Sequence, residues 1–517
     1  MKHESNVQPV EQTSEKPVCK LDKFFGVTKA GSTIRTEIVA GIVTFLAMAY
    51  ILTVNPNQFF YAGTSDPRWA SVFMATAFGA IIGTLLMAFL AKLPLAQASG
   101  MGLNSMVGTV IGGGVGAFST YVFEFTLANA MLMVLISGVV FLLLSVISIK
   151  GVSLRQKLFE GIPAGIKTAI PVGIGLFIAY IGMQNAGFIV TNGYTQVGMI
   201  TFSKWELQTI NWAAGTQTTP ATAIVMLIGL VSIAILSHLK VKGAVIIGIL
   251  VATLVGIPFG VTNLEVVAGK VDGITWKFWE NFETFFTGEV FLAPFKGGFD
   301  FPEGSLFTII MIIISMSMID MFDTMGTCVG CCSAAGLLDE NGTPRNYAQI
   351  MYADSIATCT GALLGTSTVT TFVESGSGIA EGGKTGLTAL STAVMFFLAI
   401  FALPLFAMIP SAATASALVY VGVLMMKNIK NVDFSDIRIA VPAFLAIALM
   451  PLAYSITTGI GMAILSYVVI SILCFVCELV RYAITKKEEH KPVWNVSVIT
   501  IIISLLFCVY FFVPVTL

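Results

Sequence analysis

The stretch "SMSMIDMFDTMGT" places Asp320 and Asp323 three residues apart in an otherwise apolar run. Side chains at that spacing share one face of a helix. A second apolar run carries Glu374, at the head of "ESGSGIAEGG", and a third carries Asn104, within "SGMGLNS". Carboxyl groups in hydrocarbon are costly and mark functional sites by default. Desolvation favours the neutral form, so a buried carboxyl can take a proton from one side of a membrane and release it to the other. When ionised, it accepts hydrogen bonds from the N–H groups of a flat heterocycle. Asp320 and Glu374 are therefore candidate substrate ligands and proton carriers, with Asp323 beside them in proton coupling. Asn104 and Ser375 are candidate substrate contacts. Asp354 reads as a structural group that pairs near the cytosolic end of its span, and Glu381 as a partner of Lys384. His238, at the end of its apolar run, reads as an interface residue.

The same region holds "GIAEGGKT" (378–385), which matches the phosphate-cradling pattern G-x-x-x-x-G-K-T. That pattern needs a strand in a soluble sheet before it and a helix after it. Here it sits inside an apolar segment, and no other part of the chain leaves room for a nucleotide-binding domain. Its glycines are better explained by close helix packing. Cys328, Cys331 and Cys332, and the pair Cys474 and Cys477, lie in apolar runs with no histidine nearby in sequence, so they read as packing residues. No metal or cofactor is expected.

The elements that must position these groups follow from composition. The chain has 517 residues, 56% hydrophobic and 11% charged, against about 25% charged in soluble domains. Apolar runs recur from residue 36 to 516, each long enough to cross roughly 30 Å of hydrocarbon. They are continuous and do not alternate, which excludes a β-barrel. A net charge of −1 gives no electrostatic basis for nucleic-acid binding. The expectation is an all-α polytopic membrane protein with no cleavable signal peptide. The predicted spans are 34–56, 70–91, 96–115, 126–149, 167–190, 220–238, 243–259, 305–333, 347–365, 366–383, 385–408, 411–427, 436–452 and 454–482. The further apolar segment at 494–516 reads as an added C-terminal helix that crosses the membrane or packs on the side.

Lysine and arginine set the sidedness. Lys150, Arg155 and Lys157 follow span four, Lys240 and Lys242 follow span six, Lys427 and Lys430 follow span twelve, and Arg481, Lys486 and Lys487 follow span fourteen. All fall on the side of the lysine-bearing N-terminal tail, which is read as cytosolic. The acidic, aromatic stretch 260–303 reads as an external amphipathic segment or, equally, as a small folded external subdomain.

Two motifs recur in order. "SGMGLNS" (99–105) resembles "SGSGIAE" (375–381), and "IPAGIKTAIPVGIGLF" (162–177) resembles "IPSAATASALVYVGVLMM" (409–426). They fall in spans three and ten, then five and twelve, which predicts two seven-span repeats of inverted topology, a pattern of secondary transporters. Spans three and ten are crowded with Gly, Ser and Thr. Irregular backbone at membrane depth is tolerated only where it lines a buried or watery cavity. Each is expected to be an extended stretch followed by a half-helix, starting near Ser99 and Ser375, with the two N-termini facing each other.

At this point the residues resemble a known family. "TEIVAGIVTFLAMAYILTVNP" (36–56), "GMGLNS" (100–105), "GIGLFIAYIGMQNAG" (173–187), "FDTMGT" (322–327), "ADSIAT" (353–358), "GTSTVTTFVESGSGIAEGGKTGLTA" (365–389) and "MPLAYSITTGIG" (450–461) resemble the nucleobase–ascorbate transporter superfamily, most closely its AzgA-like branch of adenine, guanine and hypoxanthine permeases. The resemblance implies fourteen helices in two inverted repeats. It implies a core domain (34–149 and 304–408) that holds the substrate, and a gate domain (150–259 and 409–483) that scaffolds it and often mediates homodimers. The tail 1–33, the loop 260–303 and the segment 484–517 lie outside these units. It implies proton symport of purine nucleobases across the cell membrane. Glu374 then looks like the span-ten substrate carboxylate, Asp320 the span-eight ligand with Asp323 beside it, and Asn104 the span-three contact. Many relatives carry an aromatic soon after that Asn. This chain has "GMGLNSMVG", which leaves Phe372 as the candidate to stack on a base. Uracil or xanthine transport, or anion transport, is the alternative on the same fold. An enzyme or ATP-driven pump is disfavoured by the lack of a nucleotide-binding domain or catalytic cluster.

Overall fold

In the computed structural model the described residues are 20–512, apart from 61–63, 65, 112–124, 150–151, 193–195, 204–208, 212–215, 269–273, 339–343, 486–493 and 495. The tail before residue 20, the end of span three beyond Ile111, and Lys150, Lys486 and Lys487 lie outside them. Along the chain run α1 (Lys20–Phe25), α2 (Ile34–Met48), α3 (Ile51–Phe59), α4 (Trp69–Leu86, closed by a wide turn at Met87–Ala91), a first half-strand (Gln97–Ser99), α5 (Met101–Ile111) and α6 (Leu127–Val146). Then come α7 (Leu154–Gly161), α8 (Ala164–Asn185), α9 (Pro220–His238), α10 (Ala244–Gly256), α11 (Phe278–Thr287), α12 (Leu306–Ala335) and α13 (Tyr347–Leu364). A second half-strand (Val369–Thr371) precedes α14 (Ser375–Ala380), α15 (Gly386–Ile400), α16 (Leu403–Ala407), α17 (Ser411–Met426), α18 (Ile437–Leu452), α19 (Ile456–Thr485) and α20 (Val498–Phe512). Short hairpins join some of the helices.

Among the described residues, eight helical stretches are long and apolar enough to cross a membrane, and α5, α10, α15, α18 and α20 are shorter apolar helices. Local chemistry sets several ends. Thr126 and Asn129 form a reciprocal cap on α6, and Thr219 and Thr222 do the same on α9, where Pro220 opens the helix. Small residues let helices approach closely where no water drives them together. Gly378 of α14 lies against Thr44 and Ala40 of α2, and Gly41 of α2 against Thr388 and Ser391 of α15. Gly175 and Gly182 of α8 meet Met425 and Leu418 of α17. These two helices carry the second pair of recurring motifs.

The two broken spans pair with each other. The half-strands form an antiparallel ribbon with Gln97 opposite Thr371 and Ser99 opposite Val369. Further backbone bonds extend it, Gly100 N to Thr368 O and Phe372 N to Ala96 O, each at 3.0 Å. The extended backbone thus satisfies its own N–H and C=O groups inside the bundle. α5 and α14 leave from opposite ends of the ribbon, each with its N-terminus at the ribbon.

α20 packs on α19 and α7. The Ser497 and Thr500 hydroxyls donate to the Gly161 carbonyl at 2.8 and 2.7 Å, occupying an acceptor at the end of α7. Gly461 of α19 leaves room for the Phe507 and Phe511 rings.

Candidate functional site

Glu374 sits between the second half-strand and α14 and is 7% exposed. Its Oε1 accepts a hydrogen bond from the Tyr50 hydroxyl at 2.6 Å. Tyr50 is presented by the break between α2 and α3, where the helix pattern lapses at Ala49 and Tyr50. The other carboxylate oxygen, Oε2, is bonded by no protein group among the described residues. Glu374 lines a cavity of about 500 Å³ together with Val43 and Ala47 of α2, Gly376 and Ser377 of α14, and Tyr420 and Leu424 of α17. That volume lies within the range of small-molecule sites.

α12 carries the other two predicted carboxylates. Asp320 is fully buried and accepts from the Thr358 hydroxyl of α13 at 3.2 Å, while its Oδ1 has no hydrogen-bond partner among the described residues. Asp323 is half-buried and accepts from Thr370 of the second half-strand at 3.3 Å. The helical spacing therefore sends Asp320 to α13 and Asp323 to the ribbon. Asp323 lies within Coulombic range of Glu374.

The remaining predicted residues are more occupied. Asn104 is fully buried. Its Oδ1 accepts from Ser99 Oγ at 2.7 Å and from Ser367 Oγ, so it laces α5 to both broken spans. Ser375 Oγ accepts from Ala96 N at 3.0 Å and ties the second half-helix to the first ribbon strand. Phe372 is 4% exposed and belongs to the main core.

Sequence reasoning missed several partners. Arg155, counted with the charged turn after span four, is fully buried. It donates to Asp354 Oδ2 at 2.6 Å and stacks its guanidinium 4.2 Å from the centre of the Phe141 ring. The turn returns into the bundle through α7, which loop charge counting cannot detect. Asp354 does pair, as expected of a structural group, and also accepts from Thr324 at 2.7 Å and Gln97 at 3.3 Å. Glu381 bonds Lys242 at 2.6 Å instead of Lys384, because the turn before α10 comes closer than its own neighbour in sequence.

The phosphate-loop pattern resolves in the same way. Among the described residues, its half-strand pairs only with the other half-strand. The N–H groups of Lys384 and Thr385 donate to the Glu37 carboxylate at 3.0 and 3.1 Å, and the Thr385 and Thr388 hydroxyls donate to it at 2.8 and 2.6 Å. A buried side-chain carboxylate from α2 takes the donors that a phosphate would need.

The chain is thus a bundle of helices long and apolar enough to cross a membrane, with two broken spans paired in a ribbon and Glu374 at a cavity. The family profile Xan_ur_permease, described as "Permease family", matches residues 35–465. A putative permease of Methanocaldococcus jannaschii is 35% identical over 94% of this chain and 98% of its own length. Adenine permease AdeP of Escherichia coli is 33% identical, covering 87% of this chain and 90% of its own. Guanine/hypoxanthine permease PbuO of Bacillus subtilis is 35% identical, covering 86% and 94%. Among solved structures, the transmembrane domain of the cyanobacterial bicarbonate transporter BicA shares the fold, with TM-score 0.54, 16% identity, and coverage of 83% of this chain and 97% of that one. The chain belongs to this permease family, the nucleobase–ascorbate transporters.

Proposed function

We propose that this protein is a secondary transporter that imports purine nucleobases, adenine, guanine or hypoxanthine, by proton symport across the cell membrane, with its N-terminus in the cytosol. The observation that carries the reading is Glu374. One oxygen is held by Tyr50, the other is buried and bonded by no protein group among the described residues, and the residue lines a cavity. Such an oxygen accepts an N–H from a flat heterocycle. Tyr50 orients the carboxylate, Asp323 at the ribbon supplies a further acceptor, and Asp320 follows from its place beside α13. Relatives named as adenine and as guanine/hypoxanthine permeases support the substrate class.

Proton coupling is supported by the charge balance. Arg155 pairs with Asp354, while Asp320, Asp323 and Glu374 have no ion-pair partner among the described residues. The same excess of negative charge disfavours an anionic substrate. One proton moving down ~100 mV supplies about 2.3 kcal/mol, enough for a roughly 50-fold concentration of the base.

The eight long spans, together with α10, α13, α15, α18 and the two broken spans, make fourteen in this reading, and an antiparallel ribbon is what inverted repeats would generate. The core comprises 34–149 and 304–408, the gate 150–259 and 409–483. The cavity lies on their seam, since it is lined by α2 and α14 on one side and by α17 and the α9–α10 turn on the other. Sliding of core against gate would expose Glu374 to either side in turn.

The test is uptake of labelled adenine, guanine, hypoxanthine and uracil by cells lacking their own permeases, for wild type and Glu374→Gln, with and without a protonophore. Purine uptake abolished by both treatments is the expected result. Uptake that survives the protonophore removes proton coupling and keeps the purine site. Uracil as the preferred base would move the substrate class.

A further inference from the structure

Two carboxylates and one guanidinium meet where α7, α12 and α13 converge. The hydrogen bonds there are reciprocal. Thr324, one turn after Asp320 on α12, donates to Asp354 of α13, and Thr358, one turn after Asp354 on α13, donates to Asp320. This lacing holds Asp320 and Asp354 side by side, and Arg155 closes the group from α7. Gln97 bridges Asp354 to Thr371, each at 3.3 Å, so the cluster also grips both strands of the ribbon.

A fully buried guanidinium is a costly way to make a structural tether, because an apolar side chain would hold α7 without taking a charge out of water. Its placement suggests a second role. α7 is the segment that leads from α6 into α8, from the first part of the core to the first part of the gate in the reading above. Its far end is clasped by Ser497, just before α20, and Thr500 of α20. The cation that pairs with Asp354, the neighbour laced to Asp320, therefore belongs to the linker. Among the described residues, the other titratable groups that face the cluster are Asp323 and Cys328 on α12, Cys359 on α13 beside Asp320, and Tyr347 on α13 beside Arg155. None of them is a cation.

We propose that Arg155 is a positioning residue that, through Asp354, sets the charge state of the Asp320 carboxylate, so that the linker between core and gate carries the countercharge of the transport site. This rests on the proton-coupled reading. With the pair intact, the guanidinium and Asp354 cancel, and Asp320 is free to exchange one proton. Removing the guanidinium leaves Asp354 as a bare negative neighbour, and Asp320 then holds its proton to higher pH. Removing the Asp354 charge leaves a bare positive neighbour, with the opposite result.

The experiment is uptake of labelled adenine and hypoxanthine into proteoliposomes holding the full chain, measured against external pH at fixed voltage. Arg155→Gln is expected to move the pH of half-maximal uptake up by about one unit, and Asp354→Asn to move it down by about one unit. Arg155→Lys and the double variant Arg155→Gln/Asp354→Asn are expected to return it towards wild type, since one keeps the charge and the other removes both. Should one single variant fail to insert, the other and the double still give the comparison, because the double leaves no unpaired buried charge. Variants that lower uptake with an unmoved midpoint would overturn the proposal and make the pair a plain structural tie. A wild type whose uptake ignores pH would overturn the proton reading first, and this inference with it.

Discussion

Glu374 and Tyr50 show how much one side chain depends on another that no motif marks. The carboxylate was visible in the sequence because charge is expensive in an apolar run. The tyrosine was not, because tyrosines are ordinary at membrane depth near an interface. Yet the Tyr50 hydroxyl makes the 2.6 Å bond that orients Glu374. A hydrogen bond to a charged group contributes about 1.5–3 kcal/mol. Tyr50→Phe is therefore expected to raise the KM for base uptake roughly tenfold or more, with the amount of inserted protein unchanged. Kinetics matching wild type would separate Tyr50 from the site. Arg155 was hidden for a different reason. A lysine- and arginine-bearing turn looks the same whether its charges face water or one of them folds back beneath a phenylalanine ring.

At the scale of elements, spans three and ten were legible as broken from their Gly, Ser and Thr content. Their pairing was not. Two short strands have no period to read, and their register is set by which backbone groups find each other in the bundle. The "GIAEGGKT" turn makes the same point. Its letters fit an anion cradle, and it does hold an anion, but the anion is Glu37 of α2, which the sequence placed only at the start of the first span. Glu37→Ala would strand buried donors of Lys384, Thr385 and Thr388, at about 3 kcal/mol. A lower melting temperature of the detergent-solubilised protein is the expected outcome. An unchanged one would mean that water reaches the turn and replaces the carboxylate.

Across the whole molecule, three of the basic residues that charge counting assigns to one side, Lys240, Lys242 and Lys427 from the turns after α9 and α17, line one cavity with Glu381. Lys242 and Glu381 join across it, with side chains 52% and 30% exposed, so the pair adds under about 1 kcal/mol to stability while tying the turn before α10 to the end of α14. If this side is cytosolic, Lys427→Cys in a background without the eight native cysteines will react with a membrane-impermeant thiol reagent in inside-out vesicles and not in right-side-out ones. The reverse pattern would invert the assigned topology.

By itself, the sequence determined the helical membrane class, the long apolar helices, the two breaks and the carboxylates set in apolar runs. These follow from the cost of exposing polar groups to hydrocarbon, which is paid locally and leaves a local pattern of apolar runs, small residues and rare charges. Only the tertiary structure decided which partners those groups meet: Tyr50 for Glu374, Arg155 and Thr324 for Asp354, Thr358 for Asp320, Ser367 for Asn104 and Glu37 for the glycine-rich turn. Each of these contacts joins residues at least 30 positions apart. A side chain satisfies its hydrogen bonds with whatever lies nearest in space, and spatial neighbours are set by helix packing across the whole bundle.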